Sequence, residues 1–488
     1  MAEYIKVPAG VYDMVTRCME QEFPDHVAIR YVAEDGKTVV EKKYREYAQD
    51  IRRMTAYLKA EVPDIKGRRM VLLSRNCYEF CVASFGIILA GGVLVTLNQK
   101  KTWEELEYEL GLVEPALILN DGIDYGCRAE LEAAYGPKLR PMDCYKDTAP
   151  GELTNCVGHD DLMMLMFTSG TTGRSKGVML SQKNLFSAMP AFLDPFDDVK
   201  KYTGWNTDEF SSLSALPMFH ISAMTSLVSW SITGHSINLC NNLKYFYRDL
   251  GAMHSEVMAV VPVLLKSLYK DVMKGRRDRL NGLCVLTCGA AMFDPKILSD
   301  MMEKGFFVAQ MYGLTETCGD GAWNSSQEAK YLTSVGHVDL SCEYKLDDGE
   351  LCMRGDPIML GYYKDPEGTA EVIDADGWFH TGDIARVEED GYMYLTGRKK
   401  NVIILDSGEN VSPEELEKLL VPCADIQECI VKEKDKKICA LIYCDPAKQE
   451  TVKEFVTGVN RGLPLYKRMV PEFSAQPLPR NAMGKLLR

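Results

Sequence analysis

Hydroxyl, glycine and lysine residues crowd into one short stretch at positions 168–177, directly after an apolar run. The stretch contains the hydroxyl residues Thr168, Ser169, Thr171 and Thr172, the glycines Gly170, Gly173 and Gly177, and the ammonium group of Lys176. Glycine lets the backbone approach a ligand closely, while hydroxyl groups and lysine donate hydrogen bonds to phosphate oxygens. This composition predicts a loop that binds a polyphosphate, although an ordinary hairpin turn is the commoner explanation of such a stretch taken alone.

The spacing of this stretch differs from that of the common nucleotide-binding loop. That loop has a glycine, four residues, and then Gly-Lys-Ser/Thr at the start of a helix. Here Lys176 is followed by a glycine and an apolar run at 178–180, which predicts a strand. The chemistry therefore has to be inferred together with residues elsewhere in the chain.

Two strand-like runs, at 284–288 and 306–311, end in small or polar loops, which is where ligands of open α/β sheets lie. Several residues in one of these loops or elsewhere in the chain could take part in chemistry. Taken singly, each has a commoner structural explanation. Asp383 lies in a Gly-Asp turn, Tyr312 suits a core, and a lysine placed like Lys485 is usually solvated. A lone histidine in an apolar context, such as His220, is more often a core residue than a catalytic one.

Composition excludes some classes of function. The 488 residues carry a formal net charge of −14, which argues against a general nucleic-acid binder and requires any phosphate site to be locally basic. The sixteen scattered cysteines are typical of reduced thiols, and together with an N-terminal stretch unlike a signal peptide they predict a cytoplasmic protein. Residues 80–97 lack charge, but the adjacent glycines at 91–92 favour a helix, a stop and a buried strand over a membrane span.

Alternating strands and helices predict an α/β fold. Residues 70–73, 78–90 and 93–97 form a predicted βαβ unit, so a large N-terminal lobe of mostly parallel sheets covered by helices is expected. Residues 194–209 are predicted to be a surface connection. From residue 339 onward the helices thin out, which predicts a β-rich subdomain.

A second, smaller domain is predicted after the stretch 397–401. A capping box with proline at the first helical position, Ser412 to Glu415, begins a helix there, and further strand-like and helical runs complete an α+β unit. We therefore expect a large domain at 1–398 and a small, mobile domain at 399–488.

The motifs at 168–177, 312–317, 381–383, 397–400 and 479–485 occur in the order seen in adenylate-forming enzymes, a superfamily that the whole chain resembles. Its members include acyl- and aryl-CoA synthetases, adenylation domains of peptide synthetases, and luciferases. The resemblance implies an ATP-dependent acid–CoA ligase. Such an enzyme first converts a carboxylic acid to an acyl-adenylate, releasing pyrophosphate, and the thiol of CoA then displaces AMP.

For the nucleotide, the resemblance implies contacts from both halves of the chain. Mg²⁺ binds at Glu316, and the loop at 168–177 holds the β- and γ-phosphates. Asp383 accepts hydrogen bonds from the ribose hydroxyls, and Arg398 contacts the ribose or phosphate region. The other implied nucleotide-binding residues flank adenine or belong to the same motifs: Gly289, Ala290, Ala291, Tyr312, Gly313 and Thr315.

The resemblance also implies that the small domain rotates between the two steps. Lys485 inserts between the carboxylate and the α-phosphate during adenylation, because a mobile positive charge can bridge two anions. It must leave before a thiol can enter, and the implied hinge is Lys400. The tunnel for CoA is then lined by Ser407, Gly408 and Glu409.

The acid is the least defined partner. Phe219, His220 and Ser222 resemble the acid pocket of acyl- and aryl-CoA synthetases, in which the histidine closes over the acid, and parts of the chain look most like o-succinylbenzoate ligases. Fatty, aromatic and o-succinylbenzoate substrates all stay open, as does the oligomeric state. The alternative function is a stand-alone adenylation module that loads a carrier protein. Ser175 stands where proline is common before the loop lysine, and Lys400 stands where many relatives have aspartate.

Overall fold

The computed structural model describes residues 6–168, 175–193, 195–204, 209–289, 293–338, 341–404, 410–434, 437–480 and 486. Within these ranges the strands are β1 Val27–Val32, β2 Val39–Lys43, β3 Arg69–Leu73, β4 Val93–Thr96, β5 Leu117–Asn120, β6 Leu139–Pro141, β7 Leu162–Thr168, β8 Lys176–Ser181, β9 Ser211–Ser214, β10 Ser236–Leu239, β11 Val257–Val260, β12 Val285–Cys288, β13 Phe307–Gly313, β14 Gly321–Asn324, β15 His337–Val338, β16 Cys342–Asp347, β17 Glu350–Gly355, β18 Gly361–Tyr362, β19 Phe379–Val387, β20 Met393–Arg398, β21 Ile403–Ile404, β22 Asn410–Val411, β23 Ile426–Lys434, β24 Lys437–Cys444 and β25 Met469–Ser474.

The helices of the same ranges cover the sheets. They are α1 Val11–Asp13, α2 Tyr44–Glu61, α3 Tyr78–Ala90, α4 Trp103–Val113, α5 Arg128–Tyr135, α6 Gln182–Ser187, α7 Met189–Leu193, α8 Pro195–Thr203, α9 Ile221–Thr233, α10 Phe246–Ala252, α11 Pro262–Met273, α12 Pro295–Glu303, α13 Pro366–Ala370, α14 Pro413–Leu420 and α15 Gln449–Arg461. A π-helical turn, Met14–Glu22, continues α1, and short 3₁₀ turns include Thr315–Thr317 and Lys399–Asn401.

Two large, mainly parallel sheets form the body of the protein, which confirms the predicted α/β class. Among the described residues the first has nine strands in the order β15-β14-β13-β12-β11-β9-β10-β1-β2, parallel from β13 to β1 and antiparallel at both edges. The second has the order β18-β8-β7-β4-β3-β5-β6 and is parallel from β7 to β6. Each sheet thus brings the carboxyl ends of several strands to one edge, where polar loops can meet a ligand.

The predicted βαβ unit is confirmed as β3, α3 and β4 in the second sheet. Helix α3 ends because Gly91 adopts a left-handed conformation with φ of 93°, which costs glycine little. The uncharged run at 80–97 is therefore a buried helix followed by a buried strand. No helix in the described part of the chain is long and apolar enough to cross a membrane. All sixteen cysteines lie in described residues and are free thiols.

The β-rich part predicted after residue 339 is an antiparallel sheet in the order β16-β17-β19-β20. Beyond it, β23, β24 and β25 pack against α14 and α15 around a separate apolar cluster that includes Val411, Leu416 and Val456. The exact boundary between the two domains stays a prediction. The interpretation of residues 194–209 as a mere connection is wrong, because α8 occupies Pro195–Thr203.

Candidate active site

The hairpin of β7 and β8 presents both ends of the loop predicted to bind phosphate. Thr168 is directly opposite Lys176 in the antiparallel ladder, and the four apolar residues at 163–166 in β7 are buried. This buried ladder sets where the loop starts and where it ends. The loop residues between them, Ser169, Gly170, Thr171, Thr172, Gly173 and Arg174, lie outside the described residues.

The Lys176 side chain lies against a tyrosine that also contacts the predicted metal ligand. Its Nζ is 4.5 Å from the centroid of the Tyr362 ring and 3.4 Å from Oδ2 of Asp365. The Tyr362 hydroxyl donates a hydrogen bond of 3.0 Å to Oε1 of Glu316. The cation predicted to bind phosphate and the carboxylate predicted to bind the metal are therefore held at one aromatic side chain.

Glu316 lies in the 3₁₀ turn that follows β13. The turn is fixed by Thr317, whose hydroxyl bonds the carbonyls of Leu314 and Asp320, and by the Met359 amide, which donates to the Glu316 carbonyl at 2.8 Å. Burial raises the pKa of Glu316, although the Tyr362 hydroxyl opposes the rise. A divalent cation would offset the cost of this desolvated charge, and Mg²⁺ prefers oxygen ligands. The donor chemistry at Glu316 therefore fits Mg²⁺.

Asp383, Tyr312 and Arg398 meet beside this turn. Asp383 is 5% exposed; its Oδ2 accepts a hydrogen bond of 2.7 Å from the Tyr312 hydroxyl, and its Oδ1 lies 2.7 Å from Nε of Arg398. Strands β19 and β20 place Asp383 and Arg398 as register partners. Burial and then the neighbouring Asp383 carboxylate hold the pKa of Tyr312 well above its usual value, so its hydroxyl stays a donor. The structure thus joins three of the predicted nucleotide residues.

The glycines of the site differ in how strongly the backbone requires them. A Cβ on Gly313 would lie 2.0 Å from the Gly319 carbonyl oxygen, so a side chain is excluded. A Cβ on Gly289, just after β12, would lie 3.6 Å from the Met311 carbonyl oxygen, which is an ordinary contact. Thr315 begins the turn that carries Glu316 and is half-buried. Ala290 and Ala291 lie outside the described residues.

A small, open pocket lies between α9 and strands β9, β10 and β11. Ser222, a residue of the predicted acid pocket, lines it together with Met218, Ser226 and Trp230. His220 is the residue directly before α9, and its ring centroid lies 4.6 Å from that of Phe219. Both residues stand in the sequence between Met218 and Ser222, which line the pocket. The helical spacing of Ser222, Ser226 and Trp230 is the signal that could have added the last two to the predicted site.

The predicted hinge region contacts the antiparallel sheet before it and lies next to the small unit that follows it. Lys400 is exposed in its 3₁₀ turn, and the neighbouring Lys399 bonds Oε2 of Glu350 at 2.7 Å. Ser412 donates to the Thr396 carbonyl at 2.7 Å, so the first helix of the small unit contacts β20. The predicted tunnel and catalytic residues Ser407, Gly408, Glu409 and Lys485 lie outside the described residues.

Sequence reasoning missed Tyr362, Asp365 and Glu350. Glu350 is 3% exposed and accepts bonds from the Lys399 ammonium and, at 3.0 Å, from the Gly382 amide, next to Asp383. These residues lie far along the chain from the motif residues that they contact. Glu350 is 32 positions from Gly382, and Tyr362 is 46 positions from Glu316. Only a Gly-Tyr pair and a Gly-Glu turn marked them in the sequence.

Comparison with known proteins defines the class. The family model described as "AMP-binding enzyme" matches residues 17–363, so the chain belongs to this family, and its predicted membership of the adenylate-forming enzymes is confirmed. Tyr362 falls within the matched region, whereas Asp383 and Arg398 lie beyond it.

Among curated relatives, a 2-succinylbenzoate–CoA ligase of Bacillus licheniformis is 29% identical over 86% of this chain and 88% of its own. The long-chain-fatty-acid–CoA ligase FadD13 of Mycobacterium tuberculosis is 27% identical over 87% of both chains. The solved structure of o-succinylbenzoate CoA synthetase (MenE) from Bacillus subtilis with its acyl-adenylate OSB-AMP is 25% identical, with a TM-score of 0.81 over 97% of this chain and 96% of that one. A further MenE structure, 25% identical with a TM-score of 0.78, holds ATP and magnesium ion and covers 97% of this chain and 98% of that one.

These findings confirm the predicted enzyme class: the chain is an AMP-forming acid–CoA ligase that uses ATP, Mg²⁺ and CoA. The roles of individual residues and the cytoplasmic location stay predictions, whereas the identity of the acid, the carrier-protein alternative and the oligomeric state stay open.

Proposed function

We propose that this enzyme adenylates a monocarboxylic acid and transfers the acyl group to CoA, with Lys176, Glu316, Asp383 and Lys485 as its principal site residues. One observation carries the assignment. Tyr362 contacts both Lys176 and Glu316, while Asp383 binds Tyr312 and Arg398, so residues from four separate motifs converge on one place.

The first step joins two anions, the acid and the α-phosphate of ATP. Their repulsion has to be offset by fixed positive charge at the phosphates. Lys176 supplies an ammonium that Asp365 and Tyr362 hold in place. Glu316 would hold Mg²⁺, which when bound neutralises phosphate charge. Thr168, Ser169, Gly170, Thr171 and Thr172 complete the phosphate loop in this proposal.

The nucleoside half of ATP is bound by the second group of residues. Asp383 is an acceptor for the ribose hydroxyls because its carboxylate is buried and already oriented by Tyr312 and Arg398. Gly313 keeps the backbone free of a side chain beside Tyr312. Gly289, Ala290 and Ala291 form the other side of the adenine site, and Thr315 belongs to the turn that carries Glu316.

The acid enters the pocket beside α9, next to Phe219, His220 and Ser222. Among the described lining residues there is no charged side chain; serines and apolar groups form its surface. A second carboxylate would lose its hydration there without gaining a cation, at a cost of several kcal/mol. This argues for an acid with one carboxylate, in contrast to the second carboxylate that the name 2-succinylbenzoate implies for that relative's substrate.

The second step requires Lys485 to leave the site. We assign the rotation to Lys400, which is exposed in a short turn between β20 and the small unit. Ser407, Gly408 and Glu409 then line the entry for CoA, as the family resemblance implies. The thiol attacks the acyl carbon, and AMP leaves as a stable anion.

Pyrophosphate release on a panel of acids tests the proposal. We expect release with medium-chain fatty acids or aromatic monoacids, and acyl-CoA and AMP in equal amounts once CoA is added. Malonate and o-succinylbenzoate should have kcat/KM values lower by about 100-fold, which corresponds to about 3 kcal/mol. Preference for a dicarboxylic acid overturns the pocket assignment. Release without thioester formation from free CoA overturns the second step and favours a carrier-protein acceptor.

A further inference from the structure

A buried ion pair lies behind the end of the phosphate loop. The Lys101 ammonium bonds Oε1 of Glu109, and the two side chains are 11% and 0% exposed. Lys101 precedes the N-cap residue of α4, and Glu109 lies on the same helix. A charge so deeply buried has a large desolvation cost, and such pairs contribute little to stability compared with apolar residues of similar volume. The pair therefore calls for an explanation other than stability.

The Lys101 ammonium has a second contact, to the residue beside the loop lysine. Its Nζ donates a hydrogen bond of 3.2 Å to Oγ of Ser175, which directly precedes Lys176. Burial raises the pKa of Glu109, while the Lys101 ammonium and the Ser175 hydroxyl oppose that rise. The three side chains thus form one small polar group, which reaches the residue directly before β8.

Contacts continue from there to the metal-binding turn. Lys176 begins β8, opposite Thr168, and its ammonium lies between Asp365 and the Tyr362 ring. Tyr362 then bonds Glu316. A displacement of Ser175 would move the backbone of Lys176, because the two residues share a peptide bond, and would change how the ammonium meets the phosphates.

We propose that Lys101 and Glu109 are positioning residues that hold Ser175, and through it Lys176, in place for the β- and γ-phosphates of ATP. The inference rests on the proposed function of Lys176. Glu109 holds the Lys101 ammonium, Lys101 holds the Ser175 hydroxyl, and the hydrogen bond restrains the loop at the residue before its cation. Neither residue of the pair touches the nucleotide in this arrangement.

The pair should affect ligands that carry β- and γ-phosphates and should leave AMP binding unchanged. Isothermal titration with MgATP, pyrophosphate and AMP needs no knowledge of the acid. Ser175→Ala removes the acceptor, and Lys101→Met/Glu109→Leu removes the charges together, so that no unpaired buried charge remains. We expect both variants to bind MgATP and pyrophosphate about tenfold more weakly, as for loss of one hydrogen bond to a charged group, with AMP affinity within twofold.

A double-mutant cycle separates positioning from a general loss of structure. In the Lys101→Met/Glu109→Leu background, Ser175→Ala should cause no further loss, since its partner is already absent. Lys101→Arg should keep most of the affinity. The control removes an ion pair elsewhere whose side chains are 24% and 25% exposed, Arg52→Met/Glu20→Leu, and should change neither MgATP nor AMP binding.

Three outcomes would overturn the inference. Unchanged MgATP affinity in Ser175→Ala refutes it even if the double variant does not fold. Equal weakening of MgATP and AMP indicates a structural role only. If the unaltered protein binds no MgATP, the proposed function fails first, and this inference falls with it.

Discussion

Tyr362 offers the sharpest test of the site, because one side chain serves two neighbours through different atoms. Its hydroxyl donates to Glu316 at 3.0 Å, and its ring lies 4.5 Å from the Lys176 ammonium. Tyr362→Phe removes only the hydroxyl, whereas Tyr362→Leu removes the ring as well. The two substitutions therefore measure the two contacts separately.

The expected magnitudes follow from the two kinds of contact. A hydrogen bond to a charged group contributes about 1.5–3 kcal/mol. A cation over an aromatic ring contributes about 0.5–2 kcal/mol. Tyr362→Phe should therefore weaken the apparent affinity for Mg²⁺ by about tenfold or more, and Tyr362→Leu should add a several-fold increase in KM for ATP.

The pH dependence has a definite sign. Burial raises the pKa of Glu316, and the Tyr362 hydroxyl opposes that rise. Without the hydroxyl the pKa rises further, so the carboxylate needed for Mg²⁺ is lost at a higher pH. The acid limb of the Mg²⁺-dependent activity should move toward neutral pH, and the difference from the unaltered protein should shrink as pH rises.

Pyrophosphate release measured across Mg²⁺ concentrations and across pH 5.5–8 supplies the assay. Tyr363→Phe, one residue along the chain, is the matched control and should behave like the unaltered protein. The reasoning is refuted if Tyr362→Phe keeps the same Mg²⁺ dependence and pH profile. Identical behaviour of the Phe and Leu variants would refute the role of the ring at Lys176.

Three further predictions concern the remaining parts of the site. Asp383→Asn removes the charge between Tyr312 and Arg398 and should weaken AMP binding by about tenfold or more, measured by titration; an affinity within twofold contradicts it. Lys485→Ala should abolish adenylate formation but spare thioester formation from a supplied acyl-adenylate, and Lys400→Pro should do the reverse because a fixed φ cannot serve as a hinge; equal loss of both steps in either variant refutes the division. Ser226→Arg places a cation in the acid pocket and should shift kcat/KM toward dicarboxylic acids, whereas a uniform loss for all acids would show that this residue does not face the substrate.

Much of the architecture was predictable because it depends on local patterns. The buried run of α3, the stop at Gly91 and the strand β4 follow from apolar content and one left-handed glycine. The predicted cap at Ser412, with Pro413 at the first helical position, likewise marked the start of α14. Helix α8 was not predicted, because Pro195 and the acidic and aromatic residues around it are typical of a turn. Tertiary packing can override such a local preference, and the structure has a helix at Pro195–Thr203.

The sequence by itself determined the chemistry of this protein. The order and types of residues in its motifs indicated an adenylate-forming enzyme, and the family match confirmed that class. These motifs can be recognised without a structure because binding phosphates and ribose requires hydroxyl groups, glycines and carboxylates, whatever the surrounding fold.

Only the tertiary structure decided which residues support that chemistry. Tyr362 lies 46 positions from Glu316, and Lys101 lies 74 positions from Ser175, so no local spacing joins them. Which residues become partners depends on how the sheets and helices pack. In the sequence, Lys101 and Glu109 look like two ordinary surface charges, although in the structure they form a buried pair. The lysine of the phosphate loop was visible from the start, but what holds it in place became visible only once distant parts of the chain were folded together.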